Sequence, residues 1–343
     1  MARTCVILPA YNAADCIERA VQSVLNQSER DLRLLVVDDG STDDTWDILT
    51  RLAGADARLT PLRVANGGPA AARNHALARL DADTEYVMFL DADDELLPDA
   101  LSYALEGAAS GAELVLCGFT IQGVGGDRQD YCEPDALYDT ATLGAALGRL
   151  YKANLLNQVW AKLFSARLIR EHGLRFPDCR WGEDRLFVFS CLEHASRVCV
   201  RAGCRYLYHM HPGESLISSF HEEKFAVCLE IDRRAEALCT RFGVEDDAPF
   251  GYMFLKSVFS CLTTLYAPSC RWTPRQKRAA MREILQNEQL RARSRKPSGG
   301  LPVRVLCAVL RTGSVTLTMA AFRLVAALSK AAPRLFRKIK HRK

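Results

Sequence analysis

The feature that most constrains this chain is a rhythm over residues 1–120. Short apolar runs rich in strand formers end in polar or acidic residues and alternate with stretches of helical spacing. Thr4 to Pro9 reads as a first buried strand, Leu32 to Val37 as a second, Leu59 to Val64 as a weaker third, Tyr86 to Leu90 as a fourth and Glu113 to Phe119 as a fifth. Between the first two, Ile17, Ala20, Val21, Val24 and Leu25 fall on one helical face, with Asp15 placed to cap it. The turn Asn66-Gly67-Gly68-Pro69 opens another helix through Arg73 and Asn74, with Pro69 at the first helical position. Such alternation predicts an α/β fold, a parallel sheet covered by helices on both faces. Sheets of this kind meet their ligands at the carboxyl ends of the strands.

Three of those strand ends carry groups suited to a nucleoside diphosphate. Pro9-Ala10-Tyr11-Asn12 offers an aromatic ring and an amide after the first strand. Asp38 and Asp39 follow the second, where a carboxylate can accept the imide N–H of a uracil or the hydroxyls of a ribose; a turn and helix-cap role fits them as well. Asp91, Asp93, Asp94 and Glu95 follow the fourth. Alone they read equally as a solvated acidic turn, but Asp91 and Asp93, two apart, can share a hard divalent cation with substrate phosphate oxygens. No G-x-G-x-x-G follows the first strand and no G-x-x-x-x-G-K-S/T occurs, which removes the dinucleotide and P-loop readings.

Four segments in this order, Pro9-x-Tyr11-Asn12, Val37-Asp38-Asp39-Gly40-Ser41-Thr42-Asp43, Gly68-Pro69-x-x-x-Arg73-Asn74 and Leu90-Asp91-x-Asp93-Asp94, resemble the family 2 glycosyltransferases. The likeness is close over residues 1–120 and looser to residue 220. It implies a GT-A fold, meaning a Rossmann-like, mostly parallel sheet with helices on both faces, here followed by a helical C-terminal region. It also implies a nucleotide-sugar donor, UDP-linked first, and an inverting transfer. By that resemblance Asp38 and Asp39 bind the nucleoside, Arg73 and Asn74 shape the base and phosphate side, and Pro9, Tyr11 and Asn12 are expected on the donor. Asp91 and Asp93, with Ala92 between them on the donor, form the D-x-D that holds Mg²⁺ or Mn²⁺.

Further along, Trp181-Gly182-Glu183-Asp184 resembles the family's later E-D pair. Inversion needs a base on the face opposite the leaving diphosphate. Asp184 is the first candidate and Glu183 the second, both in a first helical turn whose dipole favours the ionised form. Simple helix capping gives the same placement. Asn157 to Leu163 resembles the segment before that pair, where Lys162 can face the diphosphate and Trp160 can stack on a sugar; a core tryptophan beside a solvated lysine fits equally. Tyr206-x-Tyr208-His209-x-His211-Pro212-x-x-Ser215 matches the pattern that follows, with His where the family often has Arg. His209 or His211 is expected to contact the diphosphate from a closing loop.

The expected organisation is a catalytic domain over residues 1–220, a helical extension over 221–300 and a basic amphipathic tail over 301–343. No acid follows Glu288 while 14 basic residues do, so the overall charge of +4 leaves residues 1–288 at −10. The 13 scattered cysteines, without a C-x-x-C pair, read as reduced core thiols. No signal peptide is expected, since the chain enters a strand directly. In the tail Leu306, Leu310, Leu317, Leu324 and Leu328 are expected on one helical stripe, and the uncharged run is shorter than the ~20 residues of a spanning helix. Together these predict a cytoplasmic enzyme, peripheral on the inner face of the membrane through an anionic surface, with no nucleic-acid partner. Its acceptor is then a cell-surface polysaccharide or lipid-linked glycan. The alternative readings are a sugar nucleotidyltransferase, which should show a basic Gly-rich loop where Pro9-Ala10-Tyr11-Asn12 stands, and a non-catalytic sugar-nucleotide-binding scaffold; for the tail, the alternative is a last helix docked on the body.

Overall fold

Val6, Ile7 and Leu8 are wholly shielded from solvent along β1 (Thr4–Ala10), so both faces of the first strand are covered. The computed structural model describes residues 3–210 and 219–331, in two compact units. One spans Met1–Pro212 with Arg241–Gly243, the other Gly213–Thr240 with Val244–Lys343.

The first unit continues through α1 (Ile17–Leu25), β2 (Leu32–Asp38), α2 (Thr45–Ala55), β3 (Leu59–Arg63), α3 (Pro69–Leu77) and β4 (Tyr86–Phe89). Then come β5 (Glu95–Leu96), α4 (Ala100–Ala108), β6 (Leu114–Gln122), β7 (Arg128–Tyr131), β8 (Ala136–Asp139) and α5 (Gly144–Lys152). It closes with β9 (Lys162–Ser165), α6 (Ala166–Glu171), α7 (Glu183–Leu192) and β10 (Arg197–His209). The sheet runs β3-β2-β1-β4-β9-β6-β10-β5, with β7 on β6 and β8 on β10.

The five anticipated strands all form, and β3-β2-β1-β4 pair in parallel. The sheet as a whole is mixed, because β9 enters antiparallel between β4 and β6. A four-residue strand arriving after α5 gives no alternation for a sequence pattern to catch. Residues 123–139 carry β7 and β8, and β10 is a single long strand with register shifts near Cys204. The apolar face of α1 is buried as its spacing predicts, but Cys16 rather than Asp15 is its N-cap, and no side chain caps it.

The second unit holds α8 (Lys224–Arg241), α9 (Ala248–Thr264), α10 (Pro274–Gln286), α11 (Glu288–Arg295), α12 (Leu301–Arg311) and α13 (Val315–Ala331). Thr273 starts α10 with a reciprocal capping box through Gln276, which satisfies two otherwise orphaned N–H groups. The tail is two helices rather than one, broken at Gly313, whose φ of +65° a side chain would resist. The break divides the leucine stripe: Leu310 is buried, while Leu317, Leu324 and Leu328 are exposed on α13. No described helix is long and apolar enough to cross a membrane. The thirteen cysteines are thiols, none of them in a disulfide.

Candidate active site

The carboxyl end of β4 and the start of α7 meet around one guanidinium, carried by α3. Gly68 precedes α3 with φ of +87°, a conformation that favours glycine, and Pro69 sets the first turn. Four residues later, Arg73 is almost fully buried. Its Nη2 donates to Asp91 Oδ1 at 2.8 Å and its Nη1 to Asp184 Oδ1 at 2.8 Å, with Glu183 Oε1 at 3.5 Å. Residues 18, 111 and 110 positions away in the sequence thus share one cation. Burial works against the charge on Arg73, but Asp184, Asp91 and Glu183 overcome it and raise its pKa. The guanidinium also lies over the Phe176 ring, 5.4 Å from its centroid.

Asn74, next in α3, is bonded to the backbone of Phe176. Its amide donates to the Phe176 carbonyl and accepts from the Phe176 N–H, both at 2.9 Å. Both ends of the amide thus bond to the Phe176 backbone, whose ring lies beneath Arg73. Arg73 bonds to three carboxylates.

Asp184 and Glu183 start α7 after Gly182, which has φ of +83° and again favours glycine. Asp184 accepts at Oδ1 from Arg73 and at Oδ2 from the Val159 N–H at 3.3 Å. Its pKa is raised by burial, with Arg73 opposing. Burial and the neighbouring Asp184 push Glu183 up to about 7. Burial thus outweighs the helix dipole that the sequence suggested, and Arg73 is what favours the ionised form of Asp184.

The nucleoside-side residues are drawn together at the ends of β1 and β2. Asn12 takes a left-handed conformation, φ 47°, and its Oδ1 accepts from the Thr42 N–H at 2.9 Å. Tyr11 next to it is half exposed and Pro9 lies in β1. Asp38 is fully buried, accepts from the Ser41 N–H at 3.0 Å and pairs with Arg63 at 3.1 Å. Asp39 accepts from the N–H groups of Gly67 and Gly68, each at 2.8 Å, and so fixes the turn that starts α3. Both acids do turn work, and each sp² oxygen of Asp39 keeps a further lone pair.

Asp91, Ala92 and Asp93 are half-buried in the turn between β4 and β5, where the Asp93 carbonyl accepts from Arg19 at 2.8 Å. Asp94, given no role by the sequence, ties this turn to β10. It accepts from Tyr206 Oη at 2.6 Å and from the His209 N–H at 2.9 Å, while the Asp91 N–H donates to that same Tyr206 oxygen at 3.3 Å. The signal is present as a third acid in Asp91-x-Asp93-Asp94, but its partners lie more than a hundred residues away. Among the described residues no cluster of three or more His, Cys, Asp or Glu is arranged to hold a metal. Asp91 and Asp93 still fit a Mg²⁺ or Mn²⁺ that completes its shell with phosphate oxygens and water. Burial and the charges of Asp91 and Asp93 push the Asp94 carboxyl well above its usual range, a concentration of negative potential that a cation would relieve.

Three of the other residues expected on the donor have partners within the protein. Trp160 is buried and stacked with Tyr206 at 4.5 Å and Tyr208 at 5.5 Å. Lys162 is 1% exposed and its Nζ donates to the Trp160 carbonyl at 3.3 Å. His209 Nε2 pairs with Glu95 Oε1 at 2.7 Å, and His211 lies outside the described residues.

Known proteins share sequence and fold with this chain. The sequence model described as Glycosyl transferase family 2 matches residues 5–166. The chain is 29% identical over 213 residues to "Uncharacterized glycosyltransferase EpsJ" of Bacillus subtilis (strain 168), covering 60% of this chain and 61% of that protein. It is 30% identical over 213 residues to "Succinoglycan biosynthesis protein ExoO" of Rhizobium meliloti (strain 1021), covering 60% of each. The chain thus spans about three-fifths of the length of these relatives. Among solved structures, TarS 1-349 of S. aureus in complex with UDP-GlcNAc superposes with a TM-score of 0.66 at 20% identity, covering 96% of this chain and 92% of that one. At that identity the likeness establishes the fold.

Proposed function

From the premise that residues 5–166 form a family 2 glycosyltransferase domain, we propose that this chain is an inverting glycosyltransferase. It moves a sugar from a nucleoside diphosphate donor, a UDP-sugar first, to a hydroxyl of a cell-surface polysaccharide or lipid-linked glycan. The observation that carries the reading is the meeting of Asp91, Glu183 and Asp184 on Arg73. A strand end suited to a diphosphate and a helix start suited to a base are held there within one guanidinium's reach. The name of the succinoglycan relative supports a polysaccharide product, and the UDP-GlcNAc bound by TarS supports the choice of nucleotide.

In this mechanism Asp91 and Asp93 would hold the divalent cation, which supplies charge neutralisation for the departing diphosphate. Tyr11, Asn12, Asp38 and Asp39 form the nucleoside wall. Asp184 accepts the proton of the acceptor hydroxyl as its oxygen bonds to the anomeric carbon, and the bond to the diphosphate breaks with its electron pair leaving on the phosphate oxygen. Arg73 orients Asp184 and Asp91 together, and Glu183, pushed up to about 7, stands as a partly protonated neighbour. Residues 1–220 serve catalysis, 221–300 a helical extension, and 301–343 contact with an anionic membrane on the cytoplasmic side. That contact is favoured by the acid-free basic sequence after Glu288 and the exposed Leu317, Leu324 and Leu328.

A thermal-shift screen of nucleotide sugars with Mn²⁺ or Mg²⁺ tests the reading. Stabilisation by one or a few UDP-sugars, dependent on the metal and lost in Asp93→Ala, is the expected outcome. Metal-independent stabilisation, or none by any nucleotide sugar, would remove it.

A further inference from the structure

The second unit carries a groove to which the transfer step gives no part. On one side α13 is packed into the unit: Phe322 is fully buried and meets Phe259 of α9, ring centroids 5.7 Å apart. On the next side α13 and α10 leave a groove of about 640 Å³. That lies within the roughly 300–1,000 Å³ of small-molecule sites. Two hydrogen bonds tie its walls together. Tyr266 Oη, just after α9, donates to the Met319 carbonyl at 2.9 Å, and Arg278 Nη1 donates to Thr316 Oγ1 at 3.2 Å. The groove is thus built without a ligand.

Its lining joins two chemistries. Pro274, Met319, Ala320 and Ala327 are apolar, while Lys277, Arg278 and Arg323 bring three positive charges, and among the described residues no acid lines it. Lys277 lies over the Tyr266 ring, 5.6 Å from its centroid, and Arg278 keeps N–H donors beyond the one given to Thr316. Both contacts are with neutral groups, so the charges stay uncompensated around an apolar surface. The same helix turns a leucine stripe to solvent alongside. Leu317, Leu324 and Leu328 are exposed, and each directly follows a groove residue, Thr316, Arg323 and Ala327. Each leucine is therefore about 100° round the helix from the groove. A bilayer that takes the leucines would meet the groove at the level of its headgroups. A second copy of the chain would bring the same cations, and residues 332–343 contain no acid, so neither neutralises the groove.

We propose that the groove between α10 and α13 binds an anionic phospholipid. Arg278, Arg323 and Lys277 take the phosphate through charge-assisted hydrogen bonds, and the start of one acyl chain lies on the apolar lining. The choice of a lipid deepens the membrane reading of residues 301–343 and rests on it; the groove and its charge do not.

The test titrates soluble dihexanoyl phosphatidylglycerol, below its micelle concentration, into the full chain by calorimetry. Saturable binding at one site is expected, weakened roughly tenfold or more in Lys277→Gln/Arg278→Gln/Arg323→Gln. Arg271→Gln/Arg275→Gln/Arg282→Gln removes as much charge from exposed positions outside the groove and should leave binding unchanged. Glycerol phosphate, which lacks the chain, should bind roughly tenfold more weakly than the lipid. Equal losses in the two triple variants would overturn the groove as the site. Equal binding of glycerol phosphate would overturn the lipid and leave an anion site. Tighter binding of polyglutamate, lost in the groove variant, would make the occupant an acidic peptide instead. Flotation with phosphatidylcholine vesicles containing phosphatidylglycerol separates the two readings. Wild type that floats but binds no soluble lipid loses the groove and keeps the membrane contact. Wild type that binds the soluble lipid at the groove without floating keeps the site and loses the membrane contact.

Discussion

Replacing Arg73 by Met tests the site at its centre. The substitution keeps much of the buried stem and removes the charge, leaving Asp91, Glu183 and Asp184 facing one another with side-chain exposures of 29%, 12% and 19%. Removing one partner of a buried ion pair costs about 3–5 kcal/mol. The partial exposure of Asp91 places this case toward the lower end. The cost should depend on pH. Glu183 already titrates near 7 by burial, and without Arg73 the Asp184 carboxyl rises further. A carboxyl with a raised folded pKa binds its proton in the folded state after the unfolded chain has lost it. Stability therefore falls as pH rises between the unfolded and folded values, by about 1.4 kcal/mol per pH unit for each such group. Urea unfolding followed by circular dichroism, at about pH 5.5 and about pH 8.5, should show the Arg73→Met penalty larger at the higher pH by roughly 2 kcal/mol. A penalty below about 1 kcal/mol, or one flat with pH, would refute a shared-cation account of the site.

Asp184→Asn should keep nucleotide binding and lose transfer by a factor of about 10²–10⁴, the usual share of a general base; wild-type-like turnover would exclude Asp184 from that role. Tyr206→Phe leaves Asp94 Oδ2 without its 2.6 Å donor in a buried position. It should destabilise by about 1–3 kcal/mol in urea unfolding, and no change would mean that the link between β10 and the acidic turn is dispensable. Deleting residues 301–343 should abolish co-flotation with anionic vesicles and leave donor binding intact; undiminished flotation would refute the membrane role of the tail.

What the sequence makes legible follows from where each signal is stored. The strands β1 to β4 and the helix α1 are local patterns, and Ile17, Ala20, Val21, Val24 and Leu25 are buried in the face their spacing defines. The acids at the strand ends are equally visible, because an apolar run ending in carboxylates is a local contrast. The partners of these acids are not. Nothing local to Asn74 announces Phe176, which bonds to both ends of its amide. Lys162 reads as a solvated or donor-facing charge because sequence carries no burial for a lysine at the end of an irregular turn. Asp94 is in plain view and silent, since its meaning lies in Tyr206 and His209. The break at Gly313 escapes the pattern because the leucine spacing runs through it undisturbed.

The deeper reason these groups can act together lies beneath them. Phe89 stands two residues before Asp91, Phe164 two after Lys162, Phe187 three after Asp184, and Phe176 is the ring held by Asn74. The four rings form one cluster: Phe89 meets the other three edge to face at 5.3–5.8 Å, and Phe176 stacks on Phe187 at 4.1 Å. Each such pair adds about 0.5–1.5 kcal/mol beyond its burial, and edge-to-face packing resists rotation of any single ring. A shift of α7 or β4 that moved a carboxylate by about an ångström would have to displace a ring from a close-packed interior. The charges are thus held by apolar packing two or three residues from each of them. An arrangement of like-charged carboxylates around a single guanidinium, unfavourable on its own terms, persists because the aromatic cluster fixes the backbone that carries it.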